Sequence, residues 1–577
     1  MRLLSLLRRA SSGISAVSEA MVLGGSESVI RNERSYEDTI RALNSLQTNA
    51  AVLDQIRKER GNRTMLNSIP GMEVFLKRID IEVDELDKLN VIHVAGTKGK
   101  GSTCAFSESM LRHCGLKTGF YSSPHLIEVR ERIRINGKPL EKEKFVKYFW
   151  ECMDRLEATL IENDGQMPAY FRFLTLLSYH VFLQEKVDVA VIEVGIGGAY
   201  DCTNVIRNTI VSGIAMLGID HVLSLGDTIQ QIAWHKAGVM KEGHPAITVP
   251  QVDEAIPVLK DREKELKANL FMAPPLESYE NELPVIGLEG THHKFNASLA
   301  LQLCRMWFLE KQAFVKSKGL SHVTKMLDLP KSTKIDEKSG IPFASPFFIP
   351  QPFIEGLQRV KWPGRNQVIS RKKITFYIDG AHTAESIRAC RDWFSSRKDV
   401  DISFQREDVF RVLVFNSTGG RDAHTLLRPI SDIDFDFAVF CPNVVESNNN
   451  EPSSDQTNFT VSRDRQLSWC AQNQVAWLAS KGLGISLTGS SIDTTSSHLA
   501  GLSLQTSDNT AIFSSISDAI RWISCGKDPL IEKPKNGGPE VPNKLALAEH
   551  VQVLVTGSLH LIGGVMTYLG PDIVDLI

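Results

Sequence analysis

The sequence predicts an α/β protein made of two successive β/α series. Three observations carry this expectation. Short apolar runs, such as residues 187–194 (VDVAVIEV), alternate with stretches that repeat apolar residues at helical spacing. One run, residues 91–95 (VIHVA), leads into a glycine-rich loop and then a helix, the order a phosphate-binding unit needs. A polar, proline-containing segment at 316–352 then divides the first series from a second.

The elements follow in order. Residues 91–95 read as a strand, and residues 102–113 as a helix stopped by Gly115. Residues 187–194 are nearly all apolar, as expected of a parallel strand covered on both faces, and residues 209–217 (TIVSGIAML) repeat the pattern. Strands separated by helices imply βαβ units and a doubly wound sheet. The first domain is expected over 35–320, a linker over 316–352 and a second α/β domain over 353–577. Strands of the second are expected at 374–378, 412–415, 437–440 and 551–555. Two stretches interrupt it, 446–460 (rich in Asn, Ser and Asp) and 489–510 (rich in Ser and Thr), and read as surface insertions.

Composition narrows the function. The 577 residues carry 65 Lys+Arg against 68 Asp+Glu, a formal charge of −3. Hydrophobic residues make up 42% and charged residues 23%, the proportions of an ordinary globular chain. With no basic excess, nucleic acid is not an expected partner. No run approaches the roughly 18 apolar residues of a membrane span, so no membrane partner is expected either. Nine dispersed cysteines without a CxxC pair give no support for structural zinc and suit a reducing compartment. Residues 1–28 carry Arg2, Arg8, Arg9, several serines and few acids, which fits an organelle transit segment; a disordered tail is the alternative. Met21 offers a second start, and with it a cytosolic form.

The strongest local signal is Gly96-Thr97-Lys98-Gly99-Lys100-Gly101-Ser102-Thr103, between a buried strand and a helix. Glycines let backbone N–H groups close on phosphate oxygens, and a helix N-terminus adds partial positive charge. The alternative is a glycine-rich turn with two surface lysines. The usual GxxxxGK[ST] pattern fails twice: Val94 fills the first glycine slot, and Gly101 stands where a hydroxyl residue is usual. That hydroxyl normally helps hold Mg²⁺, so the ion needs other oxygen ligands. Glu193, at the end of its strand and facing a ligand crevice, is one candidate; an N-cap or surface acid is the other reading.

Eight ordered motifs go beyond a generic phosphate loop. They are 93–103 (HVAGTKGKGST), 122–133 (SSPHLIEVRERI), 193–204 (EVGIGGAYDCTN), 218–239 (GIDHVLSLGDTIQQIAWHKAGV), 293–297 (HKFNA), 362–366 (WPGRN), 377–382 (YIDGAH) and 415–422 (FNSTGGRD). Together they resemble the folylpolyglutamate synthases, a family of the Mur-ligase-like ATP-dependent amide ligases. The resemblance implies an N-terminal P-loop NTPase-like domain, a C-terminal Rossmann-like domain and an active site in the cleft between them. It implies ATP-dependent addition of L-glutamate to the γ-carboxylate of folates through an acyl phosphate. A dihydrofolate synthase or a bifunctional enzyme is the runner-up. It also implies two Mg²⁺ ions, with a monovalent cation such as K⁺ as a further candidate. The expected partners are folates, L-glutamate and ATP, acting on a monomer. A mitochondrial address, matrix or inner-membrane associated, is expected, with a plastid as the other option.

The resemblance also assigns roles. Residues Gly96, Thr97, Lys98, Gly99, Lys100, Gly101 and Ser102 match the triphosphate cradle, with Lys100 on the β- and γ-phosphates. Ser123 and Glu193 match ligands of the first Mg²⁺, and His221 a ligand of the second. Lys236 aligns with a carbamylated lysine whose carboxylate-like oxygens support that second ion; without the family it would read as a surface lysine. Asn296 matches an adenine contact and Arg365 a phosphate contact. Asp379 and His382 match residues at the nucleotide and the incoming glutamate, where a tight turn is the plain reading. His125, Arg130, Arg132, Phe171 and Phe173 are candidates for the folate, and Ser417 and Arg421 for glutamate. Core packing or surface charge is at least as good a reading for each of the folate candidates.

Overall fold

The computed structural model describes residues 34–47, 68–279, 285–327, 334–398, 408–417, 421–446, 455, 463–482, 509–534 and 538–570. The expected transit segment and most of both expected insertions lie outside the described residues.

The first body is built on an eight-stranded sheet. Its strands are β1 (Ile92–Ala95), β2 (Thr118–Tyr121), β3 (Ile133–Ile135), β4 (Lys138–Pro139), β5 (Val189–Glu193), β6 (Val211–Ile214), β7 (Pro245–Thr248) and β8 (Asn269–Met272). The order is β4-β3-β2-β5-β1-β6-β7-β8. The six strands from β2 to β8 run parallel, and β3 and β4 turn back antiparallel at one edge. β1, β2, β5 and β6 are buried along their whole length, as strands covered by helices must be. The covering helices include α1 (Lys100–His113), α2 (Tyr170–Gln184), α3 (Ile229–Ala237), α4 (His292–Glu310) and α5 (Gln351–Arg359).

Register places the site. Val94 of β1 pairs with both Glu193 of β5 and Gly213 of β6. The carboxyl ends of three neighbouring strands therefore coincide, and their following loops share one edge. β2, which follows β1 in the chain, lies beyond β5, so the strand order reverses here, where open α/β sheets bind ligands.

The segment expected as a linker at 316–352 is largely part of the first body. Helices Gln312–Ser317 and Ser321–Leu327 bury Val315, Val323 and Leu327. Phe343 bridges Met272 at the end of β8, and Phe347, Ile349, Phe353 and Leu357 fill the core beside Ile92 and Phe106. α5 crosses α1 closely: Ser109 Oγ donates to the Gly356 carbonyl at 2.9 Å. The chain passes to the second body at 360–366 instead.

The second body has a six-stranded sheet of β9 (Gln367–Ser370), β10 (Ile374–Ile378), β11 (Val409–Phe415), β12 (Phe437–Phe440), β13 (Thr510–Ile512) and β14 (His550–Thr556). Its order is β13-β12-β11-β14-β10-β9, parallel except for β9. The expected strands match β10, β11, β12 and β14. The far end of the stretch expected as an insertion, Thr510, begins the edge strand β13. β10 and β11 are separated by β14, so this sheet too has a switch point, at the ends of β10 and β14. α6 (Ala384–Arg397), α7 (Arg463–Ser480) and α8 (Leu559–Leu569) lie against it. Among the described residues no helix is long and apolar enough to cross a membrane.

Candidate active site

A cavity of about 620 Å³ opens between the two bodies where their switch points meet. On one side the phosphate loop leaves β1. Thr97 and Lys98 N–H groups both donate to the Met216 carbonyl, at 2.8 and 3.0 Å, so the loop is tied to the segment after β6. Thr97 Oγ1 donates to the Gly218 carbonyl at 3.0 Å. Gly99 caps α1 with φ 85°, a conformation that favours glycine, and the Asn296 side-chain amide lies directly against it. The loop from Thr97 to Ser102 lines the cavity. Gly96 stands behind it, its carbonyl accepting from Lys236 Nζ at 2.8 Å.

Two carboxylates shape the loops beside it. Glu193 is buried at the cavity wall, and the Ser123 N–H donates to its Oε2 at 3.0 Å. Burial raises its pKa, against the nearby Lys100 charge and that N–H bond. Asp201 accepts from Ile196 N, Thr203 N and Thr203 Oγ1 at 2.9, 3.0 and 2.6 Å, closing the GIGG turn over the end of β5. Phe171, at the start of α2, lies against Gly195 in that turn and lines the cavity.

Lys236 sits near the end of α3, which Thr228 and Gln231 cap reciprocally. It is only 3% exposed. Burial, then the Lys100 charge, lowers its amine well below the ordinary lysine range. The sequence alternative of a solvated surface lysine does not hold, although its Nζ points at Gly96 and does not line the cavity. His221 lines the cavity in a left-handed conformation, φ 53°, unusual for a non-glycine residue. Partial desolvation, then the Lys100 and Lys236 charges, lower its pKa to about 4 although the ring keeps access to solvent.

The second body faces this wall with the Asp379 turn. Asp379 is buried, and the N–H groups of Asn366 and Ala381 donate to its two oxygens at 2.9 Å each. Burial raises its pKa against the adjacent Arg365 charge. His382 Nδ1 lies 2.7 Å from the Gly380 carbonyl, so Nδ1 carries the proton and Nε2 accepts from Lys98 Nζ at 3.2 Å. Burial, then the Lys98 charge, lowers His382 to about 3. Burial lowers Lys98 itself to about 8.

One residue that sequence reasoning missed joins the walls. Asp220 lies 3.4 Å from Lys98 Nζ, 4.0 Å from His382 Nε2 and 3.9 Å from Arg421 Nη2. Its carboxyl is held well below the usual carboxylate range by the Lys98 charge foremost and by the hydrogen bond from the His221 N–H, in spite of burial. Its place beside His221 was the only signal; its partners lie far along the chain. His292, His293, His560 and Asn366 also line the cavity and were not singled out.

The remaining expectations divide. Arg132, Arg365 and Arg421 reach the cavity. Phe173 does not: it is fully buried in the core beneath α2, beside Phe149. Arg130 turns away to Glu128 and the Leu140 carbonyl. His125 lines a separate small cavity, about 20 Å³, and accepts from Arg132 Nε at 2.9 Å. Its Nε2 meets the carbonyl of Asp455, the one described residue inside the 446–460 stretch apart from Glu446. Ser417 is buried and donates to Asn473 Oδ1.

Comparison with known proteins agrees with this geometry. No protein-family model matches the chain. The mitochondrial folylpolyglutamate synthase of Homo sapiens is 45% identical over 557 residues, 93% of this chain and 92% of that protein. The mitochondrial enzyme of Cricetulus griseus is 44% identical over 566 residues, with the same coverage. Among solved structures, Mycobacterium tuberculosis folylpolyglutamate synthase complexed with ADP and AMPPCP superposes with a TM-score of 0.58 at 22% identity. It covers 86% of this chain and 95% of that one, a likeness of fold. Identity of this level over nearly the whole length, joined to a phosphate loop facing a second α/β body, settles the lineage: the chain belongs to the folylpolyglutamate synthase family.

Proposed function

We propose that the chain catalyses ATP-dependent addition of L-glutamate to the γ-carboxylate of folates and their polyglutamates. The observation that carries this is the convergence on one cavity of the phosphate loop from the first body with Arg365, Asp379, His382 and Arg421 from the second. In this reading the α1 N-terminus and Lys100 hold the triphosphate. The folate γ-carboxylate attacks the γ-phosphorus, forming an acyl phosphate and releasing ADP. The glutamate amine then attacks the acyl carbon, forming the amide and expelling phosphate. Two anions meet in the first step, so charge neutralisation and orientation are the catalytic problem. Lys98, Arg365 and Arg421 supply positive charge from both walls, and Phe171 and Arg132 suit the pterin and the anionic tail. Closing the two bodies on the cavity keeps water from the acyl phosphate.

The donors fit Mg²⁺. Glu193 is a buried carboxylate with one oxygen held by Ser123 N–H, at the cavity wall beside the phosphate loop. Ser123 and Glu193 would hold one ion, and His221 with a carbamylated Lys236 the other. Among the described residues no three His, Cys, Asp or Glu cluster to hold a metal. That suits ions which complete their shell with phosphate oxygens and water. When bound, Mg²⁺ neutralises charge on the transferring phosphoryl group. Burial, then the Lys100 charge, lowers the Lys236 pKa, which favours the neutral amine, the form that attacks CO₂. We also propose a mitochondrial form addressed by residues 1–28, in line with the names of the two relatives.

The test incubates purified protein with MgATP, L-glutamate and either tetrahydrofolate or dihydropteroate. Phosphate release with a one-glutamate mass gain on the folate supports the reading. Gain on dihydropteroate alone moves the function to dihydrofolate synthase.

A further inference from the structure

The phosphate loop departs from its usual pattern at Gly101, and nothing above explains that glycine. It is the second residue of α1, and it is not among the glycines with positive φ. Conformational freedom is therefore not the reason; space is. A Cβ at Gly101 would stand 3.1 Å from Trp362 Cζ2 and 3.2 Å from its Nε1. The indole has little room to give way. It packs 5.2 Å from the Phe120 ring, and the Arg134 guanidinium stands 5.2 Å from its centroid. Arg134 is itself buried, donating from Nε to the Glu131 carbonyl at 3.1 Å.

Trp362 belongs to the 360–366 connector between the bodies. A few residues on, the connector grips the other wall. The Gly380 N–H donates to the Gly364 carbonyl at 3.0 Å, and the Asn366 N–H donates to Asp379 Oδ2 at 2.9 Å. Between them Arg365 enters the cavity. One short segment thus touches the phosphate helix at one end and the Asp379 turn at the other.

We propose that Trp362 is a positioning residue for the nucleotide: its indole, seated on Gly101, sets the first turn of the phosphate helix and ties it to the placement of the second body. The proposal rests on reading the loop as a nucleotide cradle. Gly101 is the other half of the joint, so a side chain there, the usual hydroxyl residue included, must push against the indole. The two residues should then act as a pair, each substitution mattering through the other.

The test compares wild type, Gly101→Ala, Trp362→Ala and the double variant. Each is measured for binding of a non-hydrolysable MgATP analogue, for KM and kcat, and for Tm. Gly101→Ala should raise the analogue Kd and the KM for ATP about tenfold. Its Tm should hold or rise, because alanine favours a helix over glycine. Trp362→Phe, which keeps a ring over the glycine, should retain most of the affinity lost in Trp362→Ala. In the double variant the two penalties should fall short of their product by about fivefold or more, because the added methyl no longer meets an indole. If Trp362→Ala does not fold, Trp362→Leu, which takes the ring off the glycine while keeping an apolar side chain, combined with Gly101→Ala makes the same comparison. Gly101→Ala binding like wild type, or penalties that multiply within about twofold, overturns the proposal. A wild type that binds no MgATP analogue overturns the nucleotide reading beneath it, and the joint with it.

Discussion

On the first wall of the cleft, loops leave neighbouring parallel strands whose ends are in register, and the site residues are fastened within that body: Thr97 to Gly218, Ser123 to Glu193, and Lys236 of α3 to Gly96. On the second wall, Asp379 is fastened in the same way, but His382 and Arg421 also reach across the gap, His382 accepting from Lys98 and Arg421 standing 3.9 Å from Asp220. The first wall is assembled by sheet register, and its geometry is set before any ligand arrives. Part of the second is assembled by domain placement. Substitutions on the two walls should therefore fail differently: chemistry on the first, closure and glutamate use on the second.

The largest effect is expected on the first wall. Lys236→Ala should lower kcat about 10²–10³-fold, the scale for losing one preorganised charge group. A carbamate is a carboxylate on a tether, so added acetate or formate should restore part of the rate. Lys100→Ala should lose a similar factor without such rescue, because it removes a cation. Normal turnover by Lys236→Ala sinks its assigned role.

Asp220→Asn tests the contact between the walls. It removes the carboxylate charge beside Lys98, His221, His382 and Arg421 while keeping the shape. We expect kcat/KM for glutamate to fall about 10–100-fold, in the range for losing one partner of a screened charge cluster. Binding of the MgATP analogue should change less. Small-angle scattering should show weaker compaction on adding analogue and folate. An equal loss in analogue affinity would mean that Asp220 serves the first wall alone.

The same contrast governs what could be read from the sequence. β1, β5 and β6 were legible because strands buried on both faces are continuous apolar runs. Short edge elements such as β3, β4 and β13 carry no such run. The 316–352 segment misled because its apolar residues come in groups of one to three among prolines and polar residues, yet Phe347 and Ile349 lie over the core in an extended chain. Phe171 and Phe173 were read alike. Two residues along a helix turn through about 200°, so one faces the cavity and the other the core. Asp220 lies inside one of the eight motifs, yet its role was not legible, because it depends on groups far along the chain such as His382, whose contact with Lys98 spans 284 positions.

The smallest effect expected is on stability, and it belongs to the second wall. His382 is held neutral in the folded chain, with its pKa lowered to about 3 by burial and by Lys98. An unfolded histidine titrates near 6.5. Between those values the unfolded chain binds the extra proton, so acidification favours unfolding. This stability is fully present above about pH 6.5 and is lost as the pH falls toward 3. His382→Gln cannot titrate and can still accept from Lys98. Its Tm should therefore decline less steeply than that of wild type between pH 6.5 and pH 4, and the gap between the two should close on acidification. His221 and His93 also have lowered pKa values, but they are shared by both proteins, so the difference isolates position 382. Parallel slopes would mean that His382 takes up its proton alike in the folded and the unfolded chain, so that neither burial nor Lys98 holds it neutral where the two walls meet.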